Sequence, residues 1–446
     1  MSPMTLKARL LTAAAAAAIA VAAPIAAPSS VLAAGFALKE QSVSGQGTAY
    51  AGVTAGGNGD ASAMFYNPAT MGLISGNQIV QTASGVMVSA KVEDARATRA
   101  TRLGGSSISG NSTPGDIAQD AVVPAGYFVY SVNDDLKLGL SANGPWGLVT
   151  NYGDNWIGRY HGIRSDLKTY NFTPTVSYRI NPMFTVGGGV QIQYAKAKLS
   201  QASDFGASRL GRPGTLDVTS DVTGDDWGWG FTLGALIQPT TSTRVGLAYR
   251  SAVKHTLTGT VSFTGLPASL ASALPTQGAR ADMTTPDIAS IGLYQEITDR
   301  WAVMADVQWT NWSRFKELRV NVNNPALNSL TEENWKDTWY YALGTSYKVN
   351  DDLTLRGGVA FDKGAVDVET RTPRIPEQNR YWLSVGAGYR LTESLQVDAA
   401  YSHVFIPSTS VHLTDDLTGA EAGRGNLSAN YKSSIDIIGL QARLSF

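Results

Sequence analysis

Apolar and polar residues alternate along most of the chain. In "FTVGGGVQIQY", Phe184, Val186, Val190, Ile192 and Tyr194 share one face, and Thr185, Gly187, Gly189, Gln191 and Gln193 take the other. "WGWGFTLGALI" repeats the pattern, with Trp227, Trp229, Phe231, Leu233, Ala235 and Ile237 opposite Gly228, Gly230, Thr232 and Gly234. "WAVMADVQW" gives an apolar ribbon of Trp301, Val303, Ala305, Val307 and Trp309, with an indole at each end. A period of two is the strand period. Aromatic rings at both ends of an apolar ribbon suit the two headgroup levels of a membrane. The chain closes on "IDIIGLQARLSF", where Ile438, Leu440, Ala442, Leu444 and the terminal Phe446 form one face. These strands predict an all-β, transmembrane antiparallel β-barrel.

Short turns punctuate the pattern at "VNDDL" (132–136), "INPMF" (180–184), "QPTTST" (238–243), "ITDRW" (297–301), a second "VNDDL" (349–353) and "LTESL" (391–395). Asp, Asn and Pro supply turn conformations cheaply. Long polar or Gly-rich stretches lie between them, giving the asymmetry of outer-membrane barrels, with short turns on one side and long loops on the other. The turns and two termini on one side predict about fourteen strands, starting near residues 77, 121, 135, 165, 183, 225, 243, 281, 300, 335, 352, 378, 395 and 431.

The N-terminus departs from the pattern. Lys7 and Arg9 precede an apolar run and a Val31-Leu32-Ala33 cleavage pattern, so residues 1–33 are expected to be a removed export signal. Residues 34–76 lack sustained alternation and are expected to fold as a small hatch inside a barrel spanning residues 77–446. Within them "GDASAMFYNPATMG" predicts a capped helical turn, with Asn67 as cap, Pro68 at the first position and Gly72 closing it.

Composition narrows the function. The chain has 35 basic and 36 acidic residues among 446, a balance that argues against nucleic acid as a partner. Cysteine is absent, which removes disulfides, thiolate metal sites and a Cys nucleophile. No metal or other cofactor is expected. Four histidines (His161, His255, His403 and His412) and the lack of a G-x-S-x-G motif argue against an enzyme on a barrel. A compact plug argues against an open general porin.

Several ordered blocks resemble the FadL-type family of outer-membrane long-chain fatty acid transporters. They include "AGFALKEQSVSGQGTAYAG", the Asn67-Pro68-Ala69 step, "GLVTNYGDNW", "DDWGWGFTLGALIQP", "WTNWSRFKEL" and "RIPEQNRYWLSVGAGY". The resemblance implies a monomeric fourteen-stranded barrel plugged by an N-terminal hatch, set among the lipids and lipopolysaccharide of a Gram-negative outer membrane. It also implies passive uptake of long-chain fatty acids, or of aromatic hydrocarbons in some members.

A long tail is held mainly by buried area, about 0.8 kcal/mol per methylene, and a carboxylate by charge-assisted hydrogen bonds. The resemblance therefore points to a surface groove between two loops, carrying Phe205, Leu210 and Leu216, and Leu266, Leu270 and Leu274. The last three are spaced i, i+4, i+8 as on a small amphipathic helix. It points also to a deeper carboxylate site among Lys196, Lys198, Arg319 and Lys336, to Phe36 as a coupling residue, and to Arg380 in an ion network holding the hatch. Asn143-Gly144-Pro145 interrupts the third strand. Taken alone this is a strand end with a loop beginning at Gly144; the resemblance implies instead an inward kink that opens the wall for sideways exit.

Overall fold

The computed structural model describes residues 35–414 and 423–446, without the side chains of Ser208, Arg209 and Leu270. The expected signal segment lies outside these residues. Of twenty ladder segments in one sheet, nineteen combine into a closed antiparallel barrel of fourteen strands, and the twentieth, Gly115–Asp116, is a short ladder against the first strand. The strands are β1 (Gln78–Thr98), β2 (Ala121–Ser131), β3 (Leu136–Asn143 and Gly147–Asn151), β4 (Arg164–Arg179), β5 (Phe184–Asp204), β6 (Asp217–Ile237) and β7 (Thr243–Arg250 and Val253–Thr264). There follow β8 (Gln277–Thr285 and Ile288–Thr298), β9 (Trp301–Thr310 and Glu317–Val322), β10 (Ser329–Glu332 and Thr338–Lys348), β11 (Leu353–Asp362), β12 (Arg380–Arg390), β13 (Leu395–Leu413) and β14 (Asn426–Ser445). The ladder from Gln78↔Ser445 to Thr98↔Asn426 joins β1 to β14 and closes the ring. Closure leaves no free sheet edge for lipid to meet.

The outer face is the apolar half of the alternation. Trp229 (76% exposed), Leu440 (63%) and Leu343 (65%) project outward, whereas adjacent residues on the same strands, Gly230, Gln441 and Ala342, are buried. Each short turn is built locally. In the two "VNDDL" turns, Asn133 Oδ1 accepts from the backbone N–H of Asp135 (2.9 Å) and Leu136 (2.8 Å), and Asn350 Oδ1 accepts from Asp352 and Leu353 at the same distances. Phe446 exchanges backbone hydrogen bonds with Asn77, tying the chain end beside the start of β1.

Four strands begin earlier than the alternation predicts: β6 at Asp217, β8 at Gln277, β10 at Ser329 and β14 at Asn426. All four extensions lie on the long-loop side. There the outward positions are themselves polar, as at Asp221, Asp225 and Lys432, so the ladder continues where the hydropathy signal has ended.

Residues 35–76 fold as short turns whose residues are nearly all buried. Ser42 caps the turn Val43–Gln46, Asp60 caps Ala61–Phe65, and Asn67 caps Pro68–Leu73 through Ala69 N–H. The last is a 3-10 turn with Pro68 in its first positions. Gly72 does not close it: the turn runs to Leu73, and Ile74 N–H bonds to Met71 carbonyl. Gly72 instead lies against Thr185 of β5, where a Cβ would come within 2.7 Å.

This segment is bonded to the inner wall on many sides. Asn67 Nδ2 donates to Thr54 and Ala235 carbonyls, Tyr127 OH to Gln41 carbonyl, Tyr340 OH to Ala49 carbonyl and Gln46 Nε2 to Ile437 carbonyl. Its backbone also comes very close to wall glycines. A Cβ on Gly246 would lie 1.9 Å from Thr54 carbonyl oxygen, and one on Gly358 2.1 Å from that of Thr48.

Candidate ligand pathway

The interrupted third strand organises the interior. β2 and the first part of β3 pair from Ser131↔Lys137 to Gly126↔Ala142, and the ladder stops there. Residues 121–125 of β2 pair with β1. Beyond Gly144-Pro145, β3 keeps its ladder to β4, from Gly147↔Lys168 to Asn151↔Arg164. In place of β2, it meets the N-terminal segment: Leu38 N–H donates to Pro145 carbonyl and Gly147 N–H to Phe36 carbonyl, both 2.8 Å, while Gln41 Nε2 donates to Gly144 carbonyl (2.9 Å). The strand has turned inward, and the wall ladder between β2 and β3 is open at that height. Proline's missing N–H and fixed φ start the departure.

Trp146, carried inward by this turn, is 2% exposed. It meets Phe36 edge-on at 5.9 Å between ring centroids, and Trp312 at 5.6 Å. Phe36 also contacts Trp312 (4.7 Å), Phe315 (5.8 Å) and Trp335 (5.8 Å). Edge-to-face packing of this kind adds about 0.5–1.5 kcal/mol per pair beyond buried area.

Two cavities flank this cluster. The first, of about 820 Å³, is lined by Phe36, Leu167, Leu199, Leu257, Met283, Phe315, Val320 and Ile375, with Ser165, Glu333 and Arg374 among the polar residues. Arg374 donates to Arg164 carbonyl, Ser165 Oγ and Gln201 Oε1. The second, of about 530 Å³, is lined by Ala37, Leu38, Lys39, Phe65, Tyr66, Pro145, Trp146, Ala248, Arg250, Ile288, Ser290 and Gln308. Along β7, β8 and β9 its residues lie closer to the short turns than those of the first. Consecutive residues of the N-terminal segment thus serve different cavities: Phe36 the first, Ala37 to Lys39 the second.

Charged residues of the N-terminal segment sit close by. Lys39 Nζ lies 3.7 Å from the Tyr340 ring centroid. Burial holds its ammonium below the usual lysine range and pushes the Glu40 carboxyl up to about 7. Arg380, 2% exposed, lies 3.7 Å from Asp362 and 3.5 Å from Glu377. Glu377 in turn accepts from Gly35 N–H at 2.7 Å, so Arg380 is linked through one carboxylate to the start of the described chain.

The four candidate cations stand elsewhere. Lys196 and Lys198 share the parity of Val190 and Ile192 and lie on the outer face of β5; Lys198 is paired with Asp221 at 3.4 Å. Arg319 pairs with Glu317 at 2.8 Å and is half exposed. Lys336 pairs with Asp367, its side chain 68% exposed. None of the four lines either cavity. The reason is parity: the neighbours Ala197 and Leu199, and Leu318 and Val320, take the inward positions and line the first cavity. Arg250, Arg374 and Lys39, none of them among the four, are inward cations that line the cavities. Counting by twos from Gln191 and Gln193 places Ala195 and Ala197 inside, so the exclusion of both lysines was available from the sequence.

The loop residues lie together at the long-loop end, where Thr219 of β6 pairs with Thr264 of β7. Phe205 begins a short helix, Phe205–Leu210, capped by Asp204; Leu210 is half exposed, and Leu216 and Leu266 are partly buried. The expected amphipathic helix over 266–274 is replaced by a 3-10 turn, Ala268–Ala273, with Pro267 at its cap and Leu274 extended beyond it. Six residues at three per turn cannot hold a stripe spaced by four.

Barrel, buried N-terminal segment and inward-turned third strand define an outer-membrane protein of the transport class. Residues 25–446 match the family described as outer membrane protein transport protein (OMPP1/FadL/TodX), and the chain belongs to that family. It is 30% identical to the long-chain fatty acid transport protein of Escherichia coli K12, over 85% of this chain and 89% of that one. The crystal structure of a Pseudomonas aeruginosa FadL homologue superposes with a TM-score of 0.84 at 27% identity, covering 92% of this chain and 99% of the other. The Pseudomonas putida toluene transporter TodX superposes at 0.65 with 19% identity, covering 92% and 99%, a likeness of fold.

Proposed function

We propose that the chain carries hydrophobic molecules, foremost long-chain fatty acids, across the outer membrane by diffusion, with residues 34–76 acting as the hatch. Ligand is gathered at the loops bearing Phe205, Leu210, Leu216, Leu266, Leu270 and Leu274. It enters the apolar cavity against Phe36 and leaves sideways where β3 departs from β2. The observation that carries this reading is the aromatic cluster of Phe36, Trp146 and Trp312, which joins the cavity lining, the N-terminal segment and the inward-turned strand in one packed unit. Movement of Phe36 would thereby couple filling of the first cavity to contacts at the wall opening. The fatty acid assignment is supported by the function named for the Escherichia coli relative and by the length of apolar lining.

The test is native mass spectrometry of gently extracted protein, followed by titration of purified protein with oleate and with toluene. Co-purified fatty acid and saturable oleate binding are expected. Saturable toluene binding with no response to oleate would transfer the assignment to aromatic hydrocarbons.

A further inference from the structure

We propose that the outer wall of β4, β5 and β6 carries a docking site for the phosphate groups of lipopolysaccharide, built around Lys168 and Lys196. The inference needs only the outer-membrane setting and stands apart from the transport reading.

Aromatic residues fix the height of the site. On the outward face, Tyr170 pairs across the strands with Tyr194, and Tyr194 with Trp227. Their ring centroids are 6.3 Å apart in the first pair and 5.2 Å in the second. Toward the short turns the same face continues with Phe172, Ile192 and Trp229, the last two well exposed. A row of rings above an apolar face marks the boundary between hydrocarbon and headgroups. This row lies toward the long loops, which an outer-membrane barrel turns to the cell exterior. The leaflet it meets is therefore the outer one.

One outward position above the rings, the face becomes cationic. Lys168 stands directly opposite Lys196. Next comes Lys198, opposite Asp166, and then Arg164, opposite Ser200. Successive outward positions are about 6.6 Å apart along a strand, so these cations form one compact group. The acids nearby are taken up unevenly. Asp166 lies 2.8 Å from Arg164 and 3.7 Å from Lys168, and Asp221 lies 3.4 Å from Lys198. Asp225, across from Lys196 on β6, meets the Tyr194 hydroxyl. Among the described residues no carboxylate lies within 4.0 Å of the Lys196 ammonium, and the residue is exposed.

Like charges directly opposite each other destabilise a strand pair. A phosphate between the two ammonium groups replaces that repulsion with charge-assisted hydrogen bonds. Lysine suits the task, because its flexible stem carries a point charge out to the headgroup level. A zwitterionic lipid brings its own cation beside its phosphate, whereas a phosphorylated glycolipid does not, so the pair favours lipopolysaccharide. Its acyl chains would lie against Ile192 and Trp229. Lys168 also pairs with Gly147, just past the break in β3, so a glycolipid held here stands one strand away from the wall opening.

The experiment titrates the full barrel in detergent with bisphosphorylated lipid A and with its dephosphorylated form, reading bound lipid by native mass spectrometry. The unaltered protein should prefer the phosphorylated form by about tenfold or more, a comparison that needs no variant to fold. Lys168→Gln combined with Lys196→Gln should remove most of that preference. Lys348→Gln combined with Lys363→Gln, which removes two exposed lysines elsewhere, should leave it unchanged. Without lipid, the Lys168→Gln, Lys196→Gln barrel should melt no lower than the unaltered one, since a repulsion has gone. Equal affinity of the unaltered protein for both forms of lipid A, or equal losses in the two double variants, would overturn the site. Displacement of lipid A by inorganic phosphate would overturn the lipid assignment in favour of a free anion.

Discussion

Glu40 shows how single residues set the behaviour of the N-terminal segment. Burial raises its carboxyl from the ordinary value to about 7, against the opposing pull of Lys39 and Arg380. A raised folded-state pKa means that the seated segment binds the proton more tightly than the released one. Its contribution to seating is therefore full below the ordinary glutamate range and is lost as pH rises through about 7. Amide exchange of residues 35–45 should accelerate between pH 5 and pH 8 once corrected for intrinsic rates, and Glu40→Gln should flatten that dependence. A pH profile identical in both proteins would exclude Glu40 as the cause. Gly246 makes a steric counterpart. Its absent Cβ admits Thr54 carbonyl, so Gly246→Val should unseat the segment at a cost of about 1–3 kcal/mol. Limited proteolysis should then cut within residues 40–60 while the barrel keeps its heat-modifiable gel mobility; unchanged protection would refute the contact. At this scale the Asn67-Pro68 cap was legible, because capping depends on neighbours in sequence. The role of Gly72 was not, because Thr185, its reason for being small, lies on a distant strand.

Among the elements, β3 is the one that departs from the sheet. Its Gly144-Pro145 break, taken alone, reads from sequence as a strand end, and the resemblance alone points to a kink. The ladder decides the point: β3 resumes at Gly147 on the same partner, β4, and exchanges β2 for residues 36–38. Replacing Gly144 and Pro145 together with Thr and Val should favour continued pairing with β2, and uptake of a fluorescent fatty acid by cells should fall at unchanged barrel abundance. Undiminished uptake would rule out sideways exit at this strand. The other strands were legible wherever one face meets lipid, since hydropathy then reports the two-residue period directly. Above the lipid, β6, β8 and β14 continue with polar outer faces, and the signal fades although the ladder does not. The loop over 266–274 failed for another reason: spacing by four marks a helix only if the segment is long enough to make the turns.

For the whole molecule, the aromatic cluster around Phe36 ties wall, N-terminal segment and both cavities together. Phe36→Ala removes a ring contacting Trp146, Trp312, Phe315 and Trp335, a truncation that typically costs about 3–5 kcal/mol in a packed core. Faster amide exchange is expected at Leu38 and Gly147, whose N–H groups bridge the segment to β3, with β13 and β14 unaffected. Protection unchanged at both amides would show that Phe36 does not hold the strand inward. By itself the sequence determined the barrel, its strand number, the short-turn side and the compact non-strand start, because lipid forces a closed sheet and alternation writes that sheet into the residue order. Only the tertiary structure decided where β3 finds its replacement partner and which distant side chain makes Gly72 small. Both depend on contacts between residues far apart in the chain, and a single turn or strand carries no trace of them.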